Sequence, residues 1–439
     1  MTAIILSIGD ELVLGQTIDT NSAWLSQQLA AVGCAVRSHI TVGDDQRAIE
    51  EAMNESVGRC DFLVCTGGIG PTADDLTRQA LAAVMNEPLE LNAAWLQTVK
   101  DFFAARGRTM PESNSIQAMI PRGARILLNQ NGTAAGIDAD YISGDQKTVC
   151  RIFIMPGVPS EMKAMFARNV LPAIEKQSGG AVILSRTLHT FGVGESAVAE
   201  MLGDQMMRSR NPSVGTTVSQ GIVSLRVNAR FDSKQRAAEE LERTIQACRA
   251  KLGDLIYGEE DDTLQQVVGQ WLAASRKTVT TAESCTGGLL AKMVTDVPGS
   301  SDYFKAGFIT YSNQAKYERL GVPTEVINVY GAVSEVVVSA MARNARRLAK
   351  SDYALAISGV AGPSGGSEAK PVGTVCIALA FPPPPPAEGR VEAARKDQEV
   401  PVLARTFLFP GERSWVRDRS AKMALSMLRF HLLGKPLPF

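Results

Sequence analysis

The sequence predicts an α/β protein: two α/β domains with parallel-rich sheets, joined by a small α+β module. Three observations lead there. Short apolar runs alternate with amphipathic stretches in two separate regions, the signature of parallel strands flanked by helices. Glycine- and acid-rich segments fall directly after the apolar runs, where ligands collect in such sheets. At 439 residues the chain is long enough for two or three domains. The expected division is 1–171, 172–257 and 258–439.

In the first region, residues 3–8 read as a strand, 21–32 as a helix, 62–65 as a strand, 76–85 as a helix and 151–155 as a short apolar strand. The middle region is plainer. Residues 222–231 alternate as a strand, with Val223, Leu225, Val227 and Ala229 on one face, and 234–252 form a charged amphipathic helix. Its basic residues read as a solvated face. In the third region, 263–275 is a helix, 278–282 a strand, 288–295 a helix and 308–311 a strand. Strands at 354–357 and 374–380 and a helix at 417–432 close it. The five prolines at 382–386 cannot continue a central strand. Residues 382–400 therefore read as an extended, mobile insertion between two strands.

Composition excludes several classes. Lys plus Arg is 45 and Asp plus Glu is 46, a net charge of -1. That balance argues against nucleic acid or a membrane surface as partner. The seven cysteines form no Cys-x-x-Cys pair, which fits a reduced, cytoplasmic protein. The N-terminus lacks the basic flank and length of a secretory signal, and no uncharged apolar run reaches the roughly 18 residues of a membrane span. The histidines are His39, His189 and His431, with no His-x-x-x-His spacing, so hydrolysis here needs another base. A homo-oligomer is expected.

The N-terminal constellation begins at Gly9-Asp10-Glu11 and continues at Thr66-Gly-Gly-Ile-Gly-Pro-Thr72, with Asp74-Asp75 behind it. Gly67, Gly68 and Gly70 let the backbone turn tightly and offer amides to a phosphate. A helix expected from about Thr72 adds its positive end. Asp74 and Asp75 beside such a cradle make sense if a divalent cation bridges them to the anion. Residues 129–136 and 155–161 supply two further polar loops, and Asp10 and Glu161 are additional candidates for nucleotide contact. Taken singly, each loop is equally an ordinary turn with an acidic first helical residue.

The C-terminal constellation is Thr280-Thr-Ala-Glu-Ser-Cys-Thr-Gly-Gly288. A strand ends, a tight loop follows and a helix opens at about Gly287. A nucleophile there lies among free first-turn amides. Ser284 and Cys285 are both candidates, and Ser284 is equally an N-cap. With so little imidazole, the base for a serine is a desolvated lysine. Lys316 follows the strand at 308–311, with Tyr311 placed to share the proton or fix the amine. Lys292, just over two helical turns from Ser284, is the poorer alternative.

These residues carry a resemblance. Glu11-Leu-Val-Leu-Gly15, Asn21-Ser-Ala-Trp-Leu, Thr66–Thr72 with Asp74-Asp75, Pro156-Gly-Val-Pro-Ser-Glu161 and Phe191-Gly-Val-Gly-Glu195 resemble the competence/damage-inducible protein A family over nearly the whole chain. The first domain of that family is similar to molybdopterin-binding domains. The resemblance implies a metal-dependent ADP-ribose pyrophosphatase there, or nucleotide binding alone. Ala282–Gly288, Val297-Pro-Gly-Ser-Ser301, Tyr311-Ser-Asn313 with Lys316, Gly331-Ala-Val-Ser334, Ser358-Gly-Val-Ala-Gly-Pro363 and Lys370-Pro-Val-Gly-Thr374 look like the bacterial nicotinamide mononucleotide deamidase domain.

That resemblance implies an amidohydrolase making nicotinic acid mononucleotide and ammonia. Ser284 is then the nucleophile, Lys316 and Tyr311 handle the proton, and no metal is required. Amides near Thr286 and Gly287 would hold the oxyanion. Ser358, Gly359 and Arg413 would receive the phosphate, with Arg417 as the alternative to Arg413. The rival expectation is a non-catalytic nucleotide- or pterin-binding protein linked to competence or DNA damage.

Overall fold

A computed structural model describes residues 1–142, 149–178, 182–383 and 400–438. Most of the expected insertion at 382–400 lies outside the described residues. Packing divides the chain into two units, residues 1–185 with 228–243, and 186–227 with 244–439.

The first unit is built on a six-stranded sheet. Its order is Ala35–Val42, Thr2–Ile8, Phe62–Thr66, Val149–Met155, Gly136–Ile142, Arg125–Leu127. The first four strands are parallel and the last two antiparallel. Phe62–Thr66 is buried along its whole length because helices cover both faces. On one face Ile4, Leu6, Leu63 and Ile152 pack with Ile49 and Met53 of the helix Gln46–Val57 and with Leu81 of Thr77–Met85. On the other, Ile5, Phe62 and Val64 meet Leu25 and Leu29 of the helix Thr20–Ala31. Asp19 and Asp45 start two of these helices by accepting the amides of Ser22 and Ala48.

Residues 182–259 form a four-stranded sheet in the order Ser213–Ser219, Ile222–Phe231, Val182–Phe191, Ile256–Glu259, accompanied by helices Glu195–Leu202 and Lys234–Leu252. Val223, Leu225, Val227 and Ala229 are buried along one side of their strand, as the alternation predicts.

The second unit carries a five-stranded sheet in the order Phe304–Ile309, Val279–Glu283, Tyr353–Gly359, Thr374–Ala380, Val402–Leu408. The first three strands are parallel and the last two antiparallel. Leu355, Ile357, Ile377 and Leu379 pack against Ala424, Leu425 and Leu428 of the closing helix Arg413–Leu432. Burying one such leucine contributes about 1.5–3 kcal/mol. On the opposite face Ala354, Ala356 and Ala378 leave room for Val337, Val338 and Met341 of the helix Glu335–Ala349.

The strand expected at 308–311 spans Phe304–Ile309 instead, leaving Tyr311 beyond its end. It is an edge strand with alternating exposure, so its outer half carries no apolar signal. Polar loops after the three parallel strands open at one edge, which is where Ser284, Lys316 and Ser358 are found.

Candidate functional site

Ser284 is the first residue after the strand Val279–Glu283, and Lys316 lies in the first turns of the helix Asn313–Leu320. Lys316 Nζ donates to Ser284 Oγ at 3.0 Å and to the carbonyls of Thr310 at 3.0 Å and Tyr311 at 3.4 Å. The lysine is 1% exposed, and the serine is buried beside it. Among the described residues no carboxylate pairs with this amine, and burial holds its pKa below the ordinary lysine value of 10.5. Two carbonyls orient the amine, so once deprotonated its lone pair is available to the hydroxyl.

The alternatives left by the sequence separate here. Ser284 is not a cap: the helix Leu289–Thr295 takes Gly288 as its N-cap, and Ser284 Oγ faces Lys316. Burial raises the Cys285 thiol to about 11, so at neutral pH it is a small protonated side chain. Lys292 points to Asp296 at the surface. Of the two roles expected of Tyr311, fixing the amine is the one seen, and it falls to the backbone. Its backbone carbonyl fixes the lysine, whereas its phenol accepts a hydrogen bond from Arg413 Nη2 at 3.0 Å.

The turn after Ser284 uses one of the amides expected to serve as oxyanion donors. Gly287 N is spent on the carbonyl of Ser284 at 3.0 Å. The amides of Gly288, Leu290 and Ala291 are taken by the buried carboxylate of Glu283, at 3.0, 3.0 and 2.8 Å. Among the described residues the amides of Cys285 and Thr286 donate to no other residue, and that of Cys285 lies beside its own thiol. Gly287 is present for its backbone, since both Gly287 and Gly288 have positive φ. Sequence reading did not give Glu283 a role. The available signal was an acid at the end of a buried strand, five residues before a helix.

A cavity of about 270 Å³ joins Ser284, Lys316, Tyr311, Ser358, Gly359 and Arg413, together with Asn313, Ser364 and Gly365. Ser358 Oγ donates to the carbonyl of Ala332 at 2.7 Å, so its proton is not free for a phosphate. Gly359 serves strand pairing: a Cβ there would meet the Thr374 carbonyl oxygen at 2.8 Å. Arg413 remains at the mouth, bound to Tyr311 and to the carbonyl of Gly362. Arg417 turns away from it and donates to the carbonyl of Thr286 at 2.7 Å.

In the first unit, the loops after Thr2–Ile8, Phe62–Thr66 and Val149–Met155 line a cavity of about 570 Å³. Gly67, Gly68, Gly70, Asp74, Asp75 and Glu161 all face it. The helix starts at Thr77 rather than near Thr72, because Asp75 folds 70–75 into a turn. Its carboxylate accepts the Gly70 amide at 2.6 Å, the Thr72 amide at 2.8 Å and the Thr72 hydroxyl. Gly67 N bonds the carbonyl of Met155, so Gly68 is the glycine whose amide stays free among the described residues.

Arg78, 1% exposed, braces the loop through the carbonyls of Ile69 and Gly70, and burial lowers its pKa to about 10. Asp10 does not line the cavity, being tied to Asp44 in both directions. Asp44 and Glu11, which sequence reading passed over, do line it. Burial and the charges of Asp10, Glu11 and Asp74 raise the Asp44 pKa.

The donor set bears on a cation. Glu11, Asp44, Asp74, Asp75 and Glu161 face the cavity and no lysine or arginine does, so an anion entering alone would be repelled. Among the described residues, no group of three or more His, Cys, Asp or Glu is arranged to hold a metal ion. Asp74 fits as a ligand carried to the phosphate. Asp75, with both oxygens committed to the loop, fits less well.

Fold and site together define a class: a multidomain α/β protein with one acidic, glycine-looped cradle and one buried serine–lysine pair, each at the carboxyl ends of parallel strands. Residues 261–432 match the CinA C-terminal domain, 185–258 the damage-inducible protein CinA KH domain, and 4–176 a probable molybdopterin binding domain. The chain is 41% identical over 436 residues to a putative competence-damage inducible protein of Symbiobacterium thermophilum, covering 99% of each. It is 40% identical over 430 residues to a CinA-like protein of Geobacter sulfurreducens, covering 98% of each. It therefore belongs to the CinA family of competence- and damage-inducible proteins.

A solved CinA superfamily protein from Klebsiella pneumoniae is 33% identical, with 39% of this chain and 96% of that one covered and a TM-score of 0.34. A solved molybdopterin biosynthesis protein from Mycobacterium abscessus is 19% identical, with 40% and 93% covered and a TM-score of 0.28. Among the described residues no helix is long and apolar enough to cross a membrane.

Proposed function

We propose that the second unit is an amidohydrolase that converts nicotinamide mononucleotide and water to nicotinic acid mononucleotide and ammonia. The observation that carries this reading is the 3.0 Å contact between Lys316 Nζ and Ser284 Oγ, with the lysine buried and in no ion pair among the described residues. Unprotonated Lys316 takes the hydroxyl proton as Oγ bonds to the carboxamide carbon. The amides of Cys285 and Thr286 receive the developing oxyanion. The C–N bond then breaks, and the Lys316 ammonium gives its proton to the departing nitrogen, which leaves as ammonia. Water adds to the acyl-enzyme, Lys316 takes its proton, and the acid is released with Ser284 restored.

Arg413 is the proposed phosphate partner and Tyr311 holds it in place; Asn313 lines the same cavity. The test is ammonia release from nicotinamide mononucleotide. Wild type is expected to be active and Ser284→Ala to lose at least about 10³-fold in kcat. An inactive wild type sinks the reading, and an active Ser284→Ala sinks the nucleophile.

A second activity rests on the acidic cavity of the first unit. The reading is cleavage of the ADP-ribose pyrophosphate with a divalent ion held through Asp74 and assisted by Asp44 and Glu11. Such an ion supplies charge neutralisation and an activated water. Gly68 then donates its amide to phosphate, Arg78 keeps the loop in shape, and Glu161 stays bound to Asn129 at 2.6 Å. Binding of a nucleotide or pterin without cleavage is the competing outcome, and the molybdopterin-binding match favours it. Incubation with ADP-ribose and Mg²⁺ or Mn²⁺ separates the two, since only cleavage yields AMP.

A further inference from the structure

We infer that Glu283 and Arg417 are positioning residues that hold the nucleophile turn and the helix start behind it, leaving the amides of Cys285 and Thr286 for the oxyanion. The inference rests on the Ser284–Lys316 reading and adds to it the parts that hold the hydroxyl in register. Glu283 is 1% exposed, yet both carboxylate oxygens go to backbone amides: Oε2 to Gly288 and Leu290, Oε1 to Ala291. Arg417 Nη2 donates to the carbonyl of Thr286, and its Nε is buried without a partner.

Two charged side chains are thus committed to the backbone of one short turn. A buried charge is costly unless its hydrogen bonds are good. A serine or threonine cap would satisfy one of these amides without that cost, whereas Glu283 takes three. What the charged pair adds is stiffness around Ser284. The turn needs it, because Gly287 and Gly288 sit at φ of 57° and 95°, conformations that glycine leaves easily. Small displacements of a nucleophile are expensive in rate, since the attack geometry is narrow.

The test uses the full chain with Glu283→Gln and, separately, Arg417→Met. Glutamine turns one oxygen into an NH₂ that faces an amide donor. Methionine removes the grip on Thr286. Each is expected to lower kcat for nicotinamide mononucleotide by about 10–100-fold, with KM moving less than about threefold. Arg417→Lys should recover part of the rate. If Glu283→Gln does not fold, Arg417→Met carries the test.

A rise in KM with unchanged kcat in Arg417→Met would make Arg417 a substrate-binding residue and overturn the inference. So would full kcat in both variants. Labelling of Ser284 by a fluorophosphonate separates this inference from the reaction. The label needs a reactive serine and no particular substrate, and it should slow in both variants by a similar factor. A wild type that labels but releases no ammonia overturns the substrate alone. A wild type that does neither overturns both.

Discussion

The role proposed for Lys316 depends on where it is buried. An exposed lysine is protonated at neutral pH and cannot accept the Ser284 proton. Here desolvation lowers the pKa below 10.5. The rate of ammonia release is therefore expected to rise with pH and level off below pH 10.5, and a Lys316→Arg variant should be inactive throughout. A pH–kcat/KM profile checks both. Stability follows the same titration. Between the folded pKa and 10.5 the unfolded chain binds more protons than the folded one, so stability increases as pH rises through that window.

Lys316→Met removes the buried charge, and the expected outcome is lost activity with an unchanged or higher melting temperature near pH 7. Thermal melts beside activity assays read this directly. Cys285→Ala should keep the rate within about threefold, since the thiol stays protonated. Inactivation of that variant would return the nucleophile question to Cys285.

Elements decide where these residues meet. The glycine loop after Phe62–Thr66 shows how tightly. Gly67 sits at φ of 106°, and a Cβ there would collide with the carbonyl oxygen of Ile8. Gly67→Ala should cost about 1–3 kcal/mol from backbone strain alone, measurable as a lower melting temperature. It should also weaken nucleotide binding to the first unit.

The central strands were legible because they are buried on both faces and read as unbroken apolar runs, as in Phe62–Thr66 and Thr374–Ala380. The antiparallel strand Gly136–Ile142 was not, because Asp138 and Asp140 interrupt it. Those acids pair with Arg125, and Asp138 also with Arg151, in contacts that sequence spacing does not reveal. Ser284 and Lys316 were singled out by the scarcity of histidine, the strand–loop–helix pattern and the resemblance of both segments to the deamidase domain, and the fold brings their side chains within 3.0 Å. Glu283 and the separate uses of the Tyr311 carbonyl and phenol depend on tertiary hydrogen bonds, and no periodicity encodes those.

At the scale of the whole molecule, the two units carry unlike electrostatics. One cavity is walled by carboxylates, and the other is built on a buried amine with an arginine at its mouth. Exhaustive chelation is therefore expected to abolish ADP-ribose cleavage and leave ammonia release unchanged, in parallel assays of one preparation. Loss of both activities would contradict the metal-free serine–lysine mechanism. Asp74→Asn should reproduce the chelated behaviour, with little change in melting temperature, because the carboxylate is exposed.

The last hairpin of the second sheet has a practical consequence. Ala380 is paired with Val402, and the Phe381 amide donates to the carbonyl of Pro401 at 3.2 Å. The chain thus departs and returns at adjacent rungs of a closed ladder. Each doubling of the intervening length adds only about 0.6 kcal/mol to the entropic cost of joining the two strands. That junction is a natural splice point: a reporter domain inserted there, or a direct join by a tight turn, should leave the second unit folded.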